Sequence, residues 1–549
     1  MTTGNPPVPF PTFPKIPLRA PGQNPADAAS EDIFLGAVQG NILKGHGREH
    51  LRLVPFRFSA TAESAGLFLR RAAADRGTVG RDRWVLSALD QLAQRKVHHL
   101  AWQQAELLRL EPTRFHGDEM RSVRQQTTEA EEQLFGGLLL TRAGLRHLGR
   151  SFPESESFTA GLKSRMSETL AADEMDAAPY NREDTPGDFH GMFLLACDDP
   201  DALDTYVKAL RHWSAEYQTE IFSDEVESGF AWRNLADPYG NRYQPPREPF
   251  GFADGISQPL FFAEERLPKP MREGQPNAWD WTDLSLDQVF IPTGEHAGGS
   301  FVALLKIEQN VAAFRAYEAS VAGQLVQALG LSPGIAEYLA PAVLMGRTRQ
   351  GYPLGEVLAQ LAPNEAGLRT LFPASPPPNP AAAGARPPQA PAWLNEFDFQ
   401  AHTADRVATP RGCPFHVHLR KMNPRAEGDF GTRKNLVAAQ PVRRGATYDP
   451  KKKLTAAEEG TAPWPAGEVG LLFLAYMRDL GVQFEQAHTH WAPDTGFPEP
   501  GGPDPVLSPA PALKFGGIDL PPMPRVIRRR GGVYLYAPSL TWLRHVGLS

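Results

Sequence analysis

Cys413, His416 and His418 crowd into a segment running from Arg411 to Arg425, which also carries Arg420 and Lys421 and ends on Asn423-Pro424-Arg425. Imidazole and thiolate are the side chains that hold zinc, copper or iron, so a metal or cofactor ligand is the chemistry this spacing suggests. In an extended segment His416 and His418 share a face, because side chains alternate with a period of two, and spacing alone does not choose between them. A second pair of the same form, His488 and His490, could join the first in a non-haem metal site. Phe250 to Pro259 reads Phe-Gly-Phe-Ala-Asp-Gly-Ile-Ser-Gln-Pro, with Asp254 set among phenylalanines and glycines. A carboxylate in such apolar company is costly unless it has a partner or a task; the plainer alternative is an Asx-turn onto nearby backbone amides.

These residues must be positioned by a chain of 549 residues, too long for one ordinary core, so two domains or a duplicated domain with insertions is expected. Leu51–Phe58 alternates as a strand does, and a helical stretch follows from about Arg83 to Gln94. Leu138–Leu140 and Phe189–Cys197 are strand candidates, the first followed by a helix through Leu145 and the second by an acid-capped helix from Asp199 to Trp213. A closing strand begins near Ile221. Strand, helix, strand, strand, helix, strand is the order of a ferredoxin-like unit. Ser300–Ile307, a helix from Glu308 to about Leu329, Val469–Tyr476 and Gly532–Tyr536 partly repeat it. The expected organisation is a Pro-rich arm over 1–31, one α+β ferredoxin-like domain over 32–255 and a second over 256–549, interrupted by a Pro/Ala-rich insertion at 373–391 whose composition cannot bury enough apolar area to fold alone.

The 56 basic and 63 acidic residues give a net charge of −7 without an extended basic stripe, which argues against nucleic acid as a partner. No apolar run approaches the roughly 20 residues of a spanning helix, and the first thirty residues show neither an apolar signal core nor a twin-arginine pair. Two cysteines exclude a disulfide framework and fit a reducing compartment, so the cytoplasm is the default expectation.

Several blocks, in order, resemble the dye-decolourising peroxidase family. Gln39-Gly-Asn-Ile-Leu-Lys-Gly45 is similar to its amino-terminal signature, Gly251-Phe-Ala-Asp254-Gly255 to its distal block, and Gly299-Ser-Phe301 through Phe314 to the strand and helix that follow. Met345-Gly-Arg347 resembles the block before the haem ligand, and Cys413-Pro-x-x-x-His418-x-Arg-Lys-x-Asn-Pro-Arg425 the proximal block. Arg443-Arg-Gly-x-x-Tyr448, Gly470-Leu-Leu-Phe473 and Gly531 to Ser539 resemble the distal arginine, the distal wall and the closing strand.

The resemblance implies a haem b enzyme, with haem held mainly by the second half and His418 on the iron. It implies that Asp254 and Arg443 shuttle the proton and stabilise the charge during cleavage of hydrogen peroxide to a ferryl intermediate, since that step requires a base and a cation. Arg347 and Arg420 are expected to bind the cofactor, with Lys421 and Arg425 as further cations near its propionates, while Leu471 and Phe473 wall a narrow pocket. Small aromatic or phenolic reductants and dyes are the expected donors. Large ones would react at surface aromatics, and Tyr448 would carry an oxidising equivalent towards them. Cys413 could instead offer a thiolate, though an isolated cysteine is more commonly a packed small hydrophobe. A haem carrier resembling deferrochelatases, with little turnover, uses the same residues.

Overall fold

The structure is a computed structural model that describes residues 9–110, 116–167, 169, 174–183, 185–232, 246–256, 258–265, 285–361, 413–424, 438–508 and 513–548. The Pro/Ala-rich insertion at 373–391, and with it Arg411 and Arg425, lies outside the described residues.

The strands of the first half are β1 (His50–Phe58), β2 (Phe135–Leu140), β3 (Gly191–Cys197), β4 (Thr219–Ile221) and β5 (Glu227–Phe230). Those of the second are β6 (Ser300–Gln309), β7 (Val442–Arg443), β8 (Ala446–Tyr448), β9 (Gly470–Met477), the hairpin pair β10 (Leu513–Phe515) and β11 (Ile518–Leu520), and β12 (Ile527–Ala537). In the first half β2 pairs with β3, β3 with β1, and β1 with both β4 and β5, all antiparallel. In the second, β12 pairs with β6, β6 with β9, and β9 with β7 and β8. Each half thus has the same spatial order, with its first strand between its third and fourth. This is the ferredoxin-like arrangement expected from the sequence.

The two sheets are joined rather than separate. Tyr536 of β12 pairs with Leu140 of β2, and Phe230 of β5 pairs with Thr447 of β8, so the pairings run in a closed circuit. One face of that circuit packs inward as a core of Leu51, Leu53, Leu194, Leu304, Leu472, Leu474 and Leu535. The other face meets the helices. Burial on both faces explains why β6 and β9 read as nearly unbroken apolar runs instead of alternating ones.

The helices begin where local chemistry allows. Asp199 accepts from the amides of Asp201 and Ala202 ahead of Pro200–Ala215, and Asn310 accepts from Ala313 ahead of Val311–Leu329. The helical stretch expected over Arg83–Gln94 instead runs Ala88–Leu110, because Trp84 and Val85 are committed to the core and to backbone bonds with Ala72. The strand expected from Ile221 is split by a turn into β4 and β5. Within the amino-terminal arm Phe10 and Phe13 pack edge-on to Phe34, and the helix Pro25–Ala37 begins. Among the described residues no single helix is long and apolar enough to cross a membrane; the pair Val311–Leu329 and Pro333–Met345 passes a test of length and composition only when taken together and is bent by 119°.

Candidate active site

A cavity lies among the outer face of β6, β9 and β12, the loop 246–256, the turn at 345–348, the short helix His418–Met422 and the helix Gly481–Trp491. The Phe, Leu, Ile and Met side chains that line it suit a mostly apolar ligand.

His418 is the first residue of its helix, and its side chain lines the cavity. Its Nδ1 lies 2.7 Å from Oδ2 of Asp504, a carboxylate with no exposed surface. A carboxylate only accepts, so Nδ1–H is the donor, and in the neutral tautomer that this bond selects Nε2 carries the lone pair. Asp504 is fixed in turn by the amides of Val506 and Leu507, which donate to its Oδ1 at 2.8 and 3.2 Å. Nothing in the sequence between positions 418 and 504 signals this pairing.

His416 does not share His418's face. Residues 415–416 form a turn and the helix starts at His418, so the period of two does not apply. His416 is 1 % exposed, away from the cavity, and burial lowers its pKa to about 4. The second pair also parts. His488 lines the cavity beside Phe473 and Phe484, with its pKa lowered to about 3 by burial, whereas His490 bonds Thr489. Among the described residues no group of three or more His, Cys, Asp or Glu could hold a metal ion.

Asp254 sits on the loop whose turn depends on Gly251 at φ +97°, where a Cβ would crowd Arg315 and Arg349 at 3.0–3.1 Å. Asp254 accepts from the amide of Gly255 at 2.6 Å, the Asx-like bond that the plainer alternative anticipated, and it also faces the cavity. Arg443 arrives from β7. It pairs with Ala475, so it shares the face of Leu471 and Phe473, and all three line the cavity. Its amide donates to Oε1 of Gln258 at 3.0 Å and its Nη2 to the carbonyl of Ile256 at 2.7 Å, which ties the guanidinium to the Asp254 loop. Burial lowers the pKa of Arg443, and the charge of Asp254 works in the opposite direction.

Arg347 lines the cavity and donates to the carbonyl of Gly351 at 2.7 Å, with its pKa lowered to about 9 by burial and by Arg443. The other expected cations lie elsewhere. Arg420 is buried with its guanidinium 3.9 Å over the ring of Phe415 and bonded to the Cys413 carbonyl. Lys421, fully buried, donates to the carbonyls of Asp494 and Phe497. Arg444 donates to the carbonyls of Asn41, Ile42 and Arg443, clamping the amino-terminal signature block. Cys413 is buried and off the cavity lining.

Tyr448 is displaced by the same register that delivers Arg443. It pairs with Gly470 and packs with Leu472 and Leu474 in the inner core, 5 % exposed, its hydroxyl without a partner and its pKa raised by burial.

No protein-family model matches the chain. A curated relative, the multifunctional dye peroxidase DyP2 of an Amycolatopsis species, is 30 % identical over 536 residues, covering 93 % of this chain and 95 % of that protein. A dye-decolorizing peroxidase of Exidia glandulosa is 27 % identical over 376 residues, 65 % of each chain. Among solved structures, that of DyP2 from Amycolatopsis aligns with a TM-score of 0.67 at 26 % identity over 98 % of this chain and 100 % of its own. A DyP-type peroxidase from Anabaena aligns at 0.64 and 24 %, over 93 % and 94 %.

Proposed function

The chain belongs to the dye-decolourising peroxidase family, and from that premise we propose that it is a haem-dependent enzyme that reduces hydrogen peroxide and oxidises small aromatic donors or dyes. The observation that carries this reading is that His418, with Nδ1 pinned by Asp504, lines the same largely apolar cavity as Asp254 and Arg443.

The residues suit haem b. His418 would hold the iron through Nε2, and Arg347, the one guanidinium on the lining besides Arg443 among the described residues, would balance the macrocycle's carboxylates. When bound, the haem supplies the redox chemistry at peroxide. Asp254 takes the proton from one peroxide oxygen and returns it to the other, which requires an unprotonated carboxylate within reach of the substrate. Arg443, held by Ile256 and Gln258, presents a fixed positive charge where negative charge develops as the O–O bond breaks. Leu471 and Phe473, which line the cavity beside Arg443, would wall the peroxide side against bulky donors.

Haem added to the purified protein should produce a Soret band that is lost in His418→Ala and kept in His416→Ala. Asp254→Asn should slow the bimolecular reaction with peroxide by about 10²–10⁴-fold, the range of a lost general base. A protein that takes up no haem, or an Asp254→Asn variant that reacts at the wild-type rate in stopped flow, refutes the reading.

A further inference from the structure

The helix Gly481–Trp491 faces two ways. Its Phe484 and His488 line the cavity, while the carboxyl of Glu485, almost wholly buried, turns to a tyrosine on β12. Tyr534 is 1 % exposed, and its hydroxyl donates to Oε1 of Glu485 at 2.9 Å. The ring of Tyr534 meets that of Phe484 edge-on, with centroids 5.9 Å apart, so the phenol touches a ring of the cavity wall.

Arg165 grips the same carboxyl. Its Nε lies 3.2 and 3.0 Å from Oε1 and Oε2 of Glu485, and its Nη2 lies 2.8 Å from Oε2. A guanidinium stays cationic at any working pH and pairs in this forked way with a carboxylate, so Glu485 is ionised and accepts from a phenol that still holds its proton. Burial, with the charge of Glu485 in the same direction, raises the pKa of Tyr534. Tyr448 is buried too, but its hydroxyl has no partner.

A neutral phenol gives up one electron readily only when its proton leaves as well, because the radical cation left behind is a strong acid. Tyr534 has that exit in place: its distance to Glu485 falls within the roughly 2.6–3.2 Å over which a positioned base takes a proton. Resting on the reading of this cavity as a peroxide-reducing haem site, we propose that Tyr534 is its internal one-electron donor and Glu485 the acceptor of the phenol proton. One electron passes from Tyr534, past Phe484, to the peroxide-oxidised cofactor; the O–H bond of Tyr534 breaks and one forms on Glu485. The products are a neutral tyrosyl radical, a protonated Glu485 and a cofactor reduced by one electron. An aromatic donor at the cavity returns the electron by the same route, and Glu485 returns the proton. Tyr534 is too deeply buried to meet a donor itself, so the pair holds an oxidising equivalent within the protein while the cavity lacks a donor. Glu485 is a positioning residue here, acting through Tyr534.

The test mixes the haem-loaded protein with equimolar hydrogen peroxide and no donor, and freezes samples for electron paramagnetic resonance. Wild type should show an organic radical whose signal narrows when the protein carries ring-deuterated tyrosine. Tyr534→Phe keeps the ring and should lose that signal in samples of equal haem content, whereas Tyr448→Phe should keep it. At high field the wild-type signal should have the lowered largest g value of a phenoxyl oxygen that accepts a hydrogen bond. Glu485→Gln, which can accept the bond but cannot take the proton, should reduce the yield of radical. No tyrosyl signal after the haem has been oxidised, or an equal one in Tyr534→Phe, overturns the proposal. The g value of a bare phenoxyl, or a full yield in Glu485→Gln, overturns the assignment of Glu485 as the acceptor. A protein that takes up no haem, or whose haem does not react with peroxide, fails at the reading of the cavity, and the proposal falls with it for a different and recognisable reason.

Discussion

Asp504→Asn is the sharpest perturbation of the site, because asparagine keeps the shape and half the bonding of the residue it replaces. Its Oδ1 can still accept from Val506 and Leu507, so the loop around 504–507 should hold. The amide group that replaces Oδ2 is a donor facing the Nδ1–H of His418, at a site where the partners are 2.7 Å apart. Two donors cannot share that distance. The imidazole must shift its proton to Nε2, where the lone pair for a metal ion has to be. The lost charge-assisted bond is worth about 1.5–3 kcal/mol. Loss of the partner that orients a ligating histidine typically weakens metal affinity about 10–100-fold, or about 1.4–2.7 kcal/mol, and the two estimates agree. Asp504→Ala goes further, leaving the buried amide of Val506 unpaired at about 1–3 kcal/mol and the half-buried amide of Leu507 without its acceptor. Titration of haem into apoprotein, with thermal melts of the same samples, separates the two effects: the asparagine variant should lose affinity with little loss of melting temperature, and the alanine variant should lose both. An asparagine variant that binds haem with the wild-type constant and spectrum would remove His418 as the ligand or Asp504 as its anchor.

Tyr448→Phe deletes a buried hydroxyl that has no partner, so stability should change by less than about 1 kcal/mol and oxidation of bulky dyes should persist; loss of dye oxidation alone would restore Tyr448 as a radical relay. Arg444→Ala removes three bonds to the carbonyls of Asn41, Ile42 and Arg443 and should cost about 2–4 kcal/mol in denaturant unfolding, and an unaltered midpoint would mean that the amino-terminal block needs no clamp. His46 has its pKa lowered to about 3 by burial and by Arg48 and Arg95. The unfolded chain takes up a proton near pH 6.5 and the folded chain does not, so stability is lost as pH falls below 6.5, by about 2 kcal/mol at pH 5. His46→Gln should narrow the difference in melting temperature between pH 7.5 and pH 5 at fixed haem occupancy; an equal difference refutes the assignment.

The parts of the site that the sequence disclosed are those carried by short blocks. Asp254, Arg443, His418, Arg347, Leu471 and Phe473 were singled out by their motifs, and all six line one cavity. The repeated order of strands and helices disclosed the fold of each half, although β7 and β8 are too short to leave a periodic signal. Long-range partners left no mark. Asp504 lies 86 residues from His418, and Tyr534 lies 49 from Glu485. A shared face for His416 and His418 requires extended backbone, and the chain instead turns at 415–416 and enters a short helix that stops at Met422, before Asn423-Pro424, because the residue before a proline resists the helical conformation. Within that helix Arg420 and Lys421 turn to carbonyls of neighbouring loops, which no spacing rule could announce.

One register explains why Arg443 and Tyr448, five positions apart in one block, part company. Antiparallel partners project to the same side of a sheet, and successive residues alternate. Ala475, Phe473 and Leu471 share the outer face of β9, and Leu472, Leu474 and Tyr476 share the inner one. Arg443 opposite Ala475 therefore faces the cavity, and Tyr448 opposite Gly470 faces the inner core. Moving the β7–β9 pairing by a single residue would bury the guanidinium among leucines and empty the distal wall of its cation. Both contributions of this stretch are consequently held by the same β7/β8–β9 ladder, next to the Thr447–Phe230 pairing that joins the halves, and a bulge engineered into β9 between Leu472 and Ala475 should abolish peroxide reactivity before it abolishes folding.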